Sequence, residues 1–161
     1  MDIRLSEQSD AAGIWEIFQQ VIASADSYVF PQDADQALFQ KHWMKYRPIV
    51  ATENEQIVGS YIIKENQMGL GNHIANGSYM VHPDHHGKGI GKKLGQHSLE
   101  LARARGFKAM QFNIVVATNA PAVALWKKLG FRIIGTTPKA FRHPQHGYVD
   151  AHIMYRDLQH D

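Results

Sequence analysis

The sequence predicts one α/β domain of the α+β kind, a mixed and mostly antiparallel sheet with helices on both faces, over residues 1–161. Three observations predict it. Apolar residues switch between strand spacing and helix spacing along the chain. No repeat, low-complexity tract or linker breaks that order, and a glycine-punctuated turn joins an apolar strand to a helix start at residues 81–94. A chain of 161 residues can bury roughly 70% of its unfolded surface in one core.

Taken in order, residues 2–6 read as a short strand, and Ser9 or Asp10 is placed to cap a helix carrying Ile14, Trp15, Ile17, Phe18, Val21 and Ile22 at helical spacing. A second helix is expected at about 34–46, with Leu38, Phe39, His42, Trp43 and Tyr46, ended by Pro48. Strands follow at 48–53 and 56–64, joined by the polar turn Asn54-Glu55, and a third at 73–81 leads into the glycine segment. After a helix at 90–105 come a strand at 109–116, a helix at 119–129 and strands at 131–137 and 148–156. The polar and aromatic stretch 138–148 between the last two reads as a long loop. It can close over an acceptor site, or form a surface hairpin or subunit contact.

Composition narrows the function classes. The chain is 44% hydrophobic and 20% charged, as expected of a globular protein, and no apolar run approaches the roughly 18 residues of a membrane span. No basic segment followed by an apolar stretch opens the chain, so the expected location is the cytoplasm, with no membrane partner. A net charge of +2 is too small to argue for nucleic-acid binding. The absence of cysteine removes disulfides and thiol nucleophiles. His82, His85 and His86 are close in sequence, but no further ligand stands at a completing spacing, so no metal is expected.

The glycine segment Val81-His82-Pro83-Asp84-His85-His86-Gly87-Lys88-Gly89-Ile90-Gly91-Lys92-Lys93-Leu94 has the chemistry of an anion site. Closely spaced glycines let successive backbone N–H groups converge on phosphate oxygens, and the helix starting near Ile90 adds its positive end. Lys88, Lys92 and Lys93 supply mobile cations suited to a polyphosphate exposed along one side. Spacing excludes two other phosphate loops. His86 stands where a Walker A loop needs its first glycine and Lys93 where it needs a hydroxyl; Lys92 and Leu94 stand where a dinucleotide loop needs its third glycine.

The run His86-Gly87-Lys88-Gly89-Ile90-Gly91 resembles the acetyl-CoA loop of the GCN5-related N-acetyltransferases (GNATs), with His86 in place of the usual Gln or Arg. Downstream, Asn119-Ala120-Pro121-Ala122-Val123-Ala124-Leu125-Trp126-Lys127-Lys128-Leu129-Gly130-Phe131 resembles the second signature of that family. Here Asn119 can cap a helix and Gly130 can take the left-handed conformation that stops it. The resemblance implies acetyl-CoA as cosubstrate, held by Met80, Val81, the residues His86, Gly87, Lys88, Gly89, Ile90, Gly91 and Lys92, and by Asn119 and Trp126. It also implies that the strand before the loop and the strand at 109–116 splay apart at their ends, and that the protein is a homodimer in the manner of many members.

Acetyl transfer requires an uncharged amine facing the thioester carbonyl, donors for the developing oxyanion, and a proton for the departing thiolate. The resemblance points to backbone N–H groups near Met80 and Val81 as the donors. The usual proton donor is a Tyr at the position of Trp126, whose indole is far too weak an acid. Tyr79 and Tyr148 are the substitute hydroxyls, unless water serves or the thiolate leaves unaided. No carboxylate stands on 74–80 or 110–116, so ordered water is the preferred proton acceptor, with His73, His82 and Asp150 as alternatives.

Asn76 and Asn113 stand on those two strands in apolar or small-residue settings where an isolated Asn is unfavourable. They need partners, either local turn or bulge chemistry or a polar substrate such as an amino-acid carboxylate. Phe112-Asn113, Thr118-Asn119, Leu129-Gly130-Phe131 and Val149-Asp150-Ala151 resemble the GNAT subgroup that includes fungal proline-analogue (azetidine-2-carboxylate) N-acetyltransferases. That resemblance implies a substrate carboxyl bound by Asn76 and Asn113, with Asn76 in the catalytic set beside Tyr79 and Met80. The expected activity is N-acetylation of a small amine, the alternatives being a protein acceptor or an acyl-CoA-binding sensor.

Overall fold

The computed structural model describes residues 1–160. Strands β1 (Asp2–Leu5), β2 (Ile49–Glu53), β3 (Gln56–Glu65), β4 (Ile74–Val81), β5 (Ala109–Val116), β6 (Arg132–His143) and β7 (Gly147–Asp157) form one sheet in the order β1-β2-β3-β4-β5-β7-β6. Helices α1 (Ala11–Ser24), α2 (Gln36–His42), α3 (Ile90–Ala104) and α4 (Ala120–Lys128) connect them. The register is antiparallel for β1–β2, β2–β3, β5–β7 and β6–β7, and parallel for β4–β5 across the α3 crossover. The expected α/β class and mixed sheet are present. No helix among the described residues is long and apolar enough to cross a membrane.

The chain divides into two compact units, Met1–Ile63 with Ser78–His97, and Lys64–Gly77 with Ser98 onward. In the first, the stripe Ile14, Ile17, Phe18 and Ile22 of α1 meets Phe39, Trp43, Val50, Ile62 and Met80 in one buried cluster. Phe18 lies at its centre, with ring centroids 5.1 Å from Phe39 and 5.3 Å from Phe30. Burying one such side chain is worth about 1.5–3 kcal/mol, so this cluster fixes α1 against the strands. In the second unit the rings of Phe112, Trp126 and Phe131 form a trio with centroids 4.5–5.6 Å apart.

Three expectations need correction. The helix expected at 34–46 is shorter. Asp35 caps it by accepting from Leu38 N–H at 2.9 Å, but it ends at His42, and a 3-10 turn at Met44–Tyr46 follows before Arg47 takes a φ of +52°. Neither Ser9 nor Asp10 bonds the start of α1 with its side chain. The Asp10 carboxylate instead accepts from Glu7 N–H at 2.7 Å and from both terminal nitrogens of Arg4 at 2.7 and 3.0 Å. The Arg4 hydrogen bonds hold its pKa below the ordinary carboxylate value.

The stretch 138–148 is the third. It is mostly strand, because β6 runs to His143, β7 starts at Gly147, and Phe141, Arg142 and His143 pair with Val149, Tyr148 and Gly147. A register shift between Thr137 and Phe141 absorbs Pro138, with Lys139 at φ +51° and its N–H donating to Asp150 Oδ1 at 3.0 Å. His143 Nδ1 accepts from Gln145 and His146 N–H at 3.1 and 3.2 Å, which closes the turn. The surface-hairpin reading holds.

Candidate functional site

The glycine segment folds as its composition implies. After β4 the chain makes a 3-10 turn at Pro83–His85 and enters α3 at Ile90. Gly87 and Gly89 have φ of +77° and +79° with open space where a Cβ would stand, so conformation rather than room demands glycine there. Lys93 N–H donates to Gly89 O at 3.1 Å, which leaves the N–H groups of the first turn ahead of the helical ladder. Lys88, Lys92 and Lys93 are exposed around it. Buried Ile90 and Leu94 anchor the helix start on β3, where Gly59 makes the fit: a Cβ there would lie 2.9 Å from Leu94 Cδ1 and 3.1 Å from Ile90 Cγ2.

His82 and His86 are hydrogen-bonded within this segment, whereas His85 Nδ1 is buried with no hydrogen-bond partner among the described residues. His86 Nε2 lies 3.3 Å from Val81 O, which turns its ring back toward the end of β4. His82 Nδ1 accepts from Asp84 N–H at 3.2 Å, and its Nε2 is 3.9 Å from Glu16. His85 Nδ1 is 3.8 Å from Glu53.

On β4 itself, the Met80 side chain belongs to the buried cluster, so only its peptide can face a ligand. The Tyr79 ring stacks on Tyr61 with centroids 5.5 Å apart. Its peptide has a partner that the sequence did not reveal. Tyr28, in the connection between α1 and α2, accepts from Tyr79 N–H at 2.7 Å and donates from the same hydroxyl to Tyr79 O. Burial raises the Tyr28 pKa above the ordinary tyrosine value. One neutral hydroxyl thus pairs with the backbone N–H and C=O of Tyr79, which belong to the two successive peptides flanking its Cα.

In the second unit, Asn119 caps α4 as expected, its Oδ1 accepting from Ala122 N–H at 3.3 Å. Gly130 ends that stretch at φ +87°. Arg156 donates to Leu129 O, and a Cβ on Gly130 would lie 3.2 Å from its guanidinium carbon. Trp126 is buried within the aromatic trio. Of the other groups considered for proton transfer, Tyr148 is exposed and Asp150 is bonded to the β6 register shift.

Asn76 and Asn113 come together. The β4–β5 register runs over Ile74↔Ala109 and Ala75↔Met110, and Asn76 then uses its side chain, donating from Nδ2 to Gln111 O at 3.2 Å. The β5–β7 register shifts between Phe112 and Val115, so Asn113 and Ile114 share one interval of the ladder and both are exposed. The local alternative is therefore present, a bulge at Asn113 and protein partners for both side chains. Asn66, just past β3, joins the pair: its Oδ1 accepts from Asn76 Nδ2 at 3.3 Å and from Asn113 Nδ2 at 2.8 Å, while Gln111 Nε2 donates to Asn113 Oδ1 at 3.0 Å. Tyr28 was missed because it acts across 51 residues, and Asn66 because it lies ten residues from Asn76 in an irregular connection and 47 from Asn113, separations that local spacing does not mark.

Comparison with known proteins agrees with this architecture. Residues 15–131 match the model of the acetyltransferase (GNAT) family. The N-acetyltransferase aca1 of Schizosaccharomyces pombe is 43% identical over 98 residues, 60% of this chain and 47% of that protein, so the match spans about half of the yeast relative. The L-amino acid N-acyltransferase MnaT of Escherichia coli is 29% identical over 86% of this chain and 84% of its own length. A GCN5-related N-acetyltransferase of Kribbella flavida superposes with a TM-score of 0.92 at 37% identity, covering 97% of this chain and 96% of that one. The family match runs across both the strand that enters a positive-φ glycine turn and the capped helix that ends at a left-handed glycine, and the chain belongs to the GNAT family of acetyltransferases.

Proposed function

We propose that the protein transfers an acetyl group from acetyl-CoA to the amine of a small carboxylate-bearing molecule, an amino acid or a close relative, by direct attack in a ternary complex. Members of this family use acetyl-CoA, and the E. coli relative is an L-amino acid N-acyltransferase. The observation that carries the acceptor class is the convergence of Asn76 and Asn113 on one oxygen of Asn66, which makes a patch of uncharged amides rather than the acidic patch a polyamine would need.

The backbone N–H groups of Gly87 to Lys92, with the side chains of Lys88 and Lys92, bind the pyrophosphate, while the His86 N–H is spent on Pro83 O at 3.3 Å. Asn119, whose Oδ1 is engaged in the cap, keeps Nδ2 for the cosubstrate. The buried ring of Trp126 supports that helix. The peptides of Met80 and Val81 donate to the thioester oxygen as charge develops on it. The amine lone pair forms the C–N bond, the C–S bond breaks, and its electrons leave on sulfur. Ordered water takes the ammonium proton, and the thiolate leaves with water or Tyr79 as its proton source.

The test is CoA-thiol release from acetyl-CoA against amino acids, cyclic imino acids, polyamines and aminoglycosides, with an amine-free control. Release with amino or imino acids supports the proposal. A polyamine or aminoglycoside hit keeps the transferase and discards the acceptor class; binding of acetyl-CoA without release points to a protein acceptor or a sensor.

A further inference from the structure

We infer that Asn66 is itself a carboxylate-binding residue, donating from Nδ2 to the acceptor, and that Asn76 positions it; this rests on the carboxylate-bearing acceptor proposed above. The polarity of the amide cluster follows from one unambiguous acceptor, a backbone carbonyl. Because Asn76 lies 3.2 Å from Gln111 O, the Asn76 atom there is nitrogen. The Asn66 atom facing that nitrogen must be oxygen, the Asn113 atom facing that oxygen must be nitrogen, and the Gln111 atom facing Asn113 Oδ1 must again be nitrogen. A single peptide thus orients four side-chain amides.

Donor accounting then separates their roles. A primary amide has two N–H donors and one oxygen with two lone pairs. Asn76 spends both donors, on Gln111 O and on Asn66, so it has none for a substrate. Asn66 spends both lone pairs of Oδ1 on Asn76 and Asn113, and its Nδ2 donates to no group among the described residues. Asn113 and Gln111 each keep one N–H. At Asn66 itself the spare capacity is two N–H donors and no lone pair, while the open acceptors of the cluster lie on Asn76, Asn113 and Gln111. A carboxylate, which only accepts, matches the Asn66 amide, whereas an ammonium group meets only donors there. The side chain of Asn66 is half-buried and solvent reaches it, as a binding group requires.

The discriminating variant is Asn66→Asp. It keeps an oxygen that accepts from Asn76 and Asn113 and exchanges the two spare donors for a second, acceptor-only oxygen of a negatively charged carboxylate. With each L-amino acid accepted by the wild-type protein and with its carboxamide, kcat/KM of the variant should fall about 10- to 100-fold for the acid. It should stay within about twofold for the carboxamide, with the acetyl-CoA KM unchanged. Unaltered turnover of both acceptors would mean that Asn66 serves only as an acceptor for its neighbours and would overturn the inference. So would an equal loss on both, the mark of a damaged fold, which the acetyl-CoA KM and the thermal midpoint would also register. A wild-type protein that does not distinguish acid from carboxamide would instead sink the acceptor class, and this inference with it.

Discussion

The glycine turn before α3 and the amide cluster around Asn66 are built in opposite ways. The turn is one continuous stretch of backbone whose proposed ligand groups are peptide N–H donors, and its side chains matter chiefly through the two glycines that permit positive φ. The cluster is made of side chains from three separate segments, and the ligand groups proposed for it exist only while each amide orients the next. The lesson concerns tolerance. The turn accepts an unusual residue such as His86, whose ring is folded back onto Val81, because the peptides remain. The cluster tolerates little, since reversing one amide misdirects the others.

That contrast orders the predictions. The largest effect is expected from Asn113→Ala, which removes a bulge-presented donor and the partner of Gln111. It should lower kcat/KM for an amino-acid acceptor by about 10- to 100-fold with no change in the acetyl-CoA KM. If acceptor KM and kcat were both unchanged, the carboxylate site would be withdrawn. Gly89→Ala should act on the other site alone. Holding a Cβ-bearing residue at φ +79° costs about 1–2 kcal/mol, so the acetyl-CoA Kd should rise roughly 5- to 30-fold by calorimetry while acceptor selectivity is retained.

A smaller effect is expected at Tyr28, which touches neither site's ligand groups directly but holds the Tyr79 peptide. Its folded pKa is raised, so the proton is held more tightly in the folded chain than in the unfolded one. The corresponding stability is present in full below the ordinary tyrosine pKa near 10 and is lost as pH rises through the raised folded value. Denaturant midpoints measured across the alkaline range should therefore decline less steeply for Tyr28→Phe than for the wild-type protein. Parallel profiles would show that the hydroxyl contributes no such linkage.

Legibility followed the same division. The turn, the Asn119 cap, the Gly130 stop and the Asn54-Glu55 hairpin are local, and each was readable because residue type and spacing dictate the backbone. Asn76 and Asn113 stood out as polar residues in apolar strands, but their common partner Asn66 lies in the irregular connection beyond β3, ten residues before Asn76, and meets Asn113 only through the sheet. The same holds for Tyr28, which reaches Tyr79 across 51 positions. The stretch 138–148 was misread because proline and polar residues suggested a loop, whereas a register shift absorbs Pro138 and cross-strand pairing continues beyond it.

The central claim is that uncharged amides select an acceptor by its carboxylate. The most direct measurement is steady-state acetyl transfer by the wild-type protein to matched pairs of an L-amino acid and its carboxamide at saturating acetyl-CoA. The account predicts kcat/KM at least about 10-fold higher for the acid, the value of a hydrogen bond to a charged acceptor. Equal values, or a preference for the carboxamide, would contradict it.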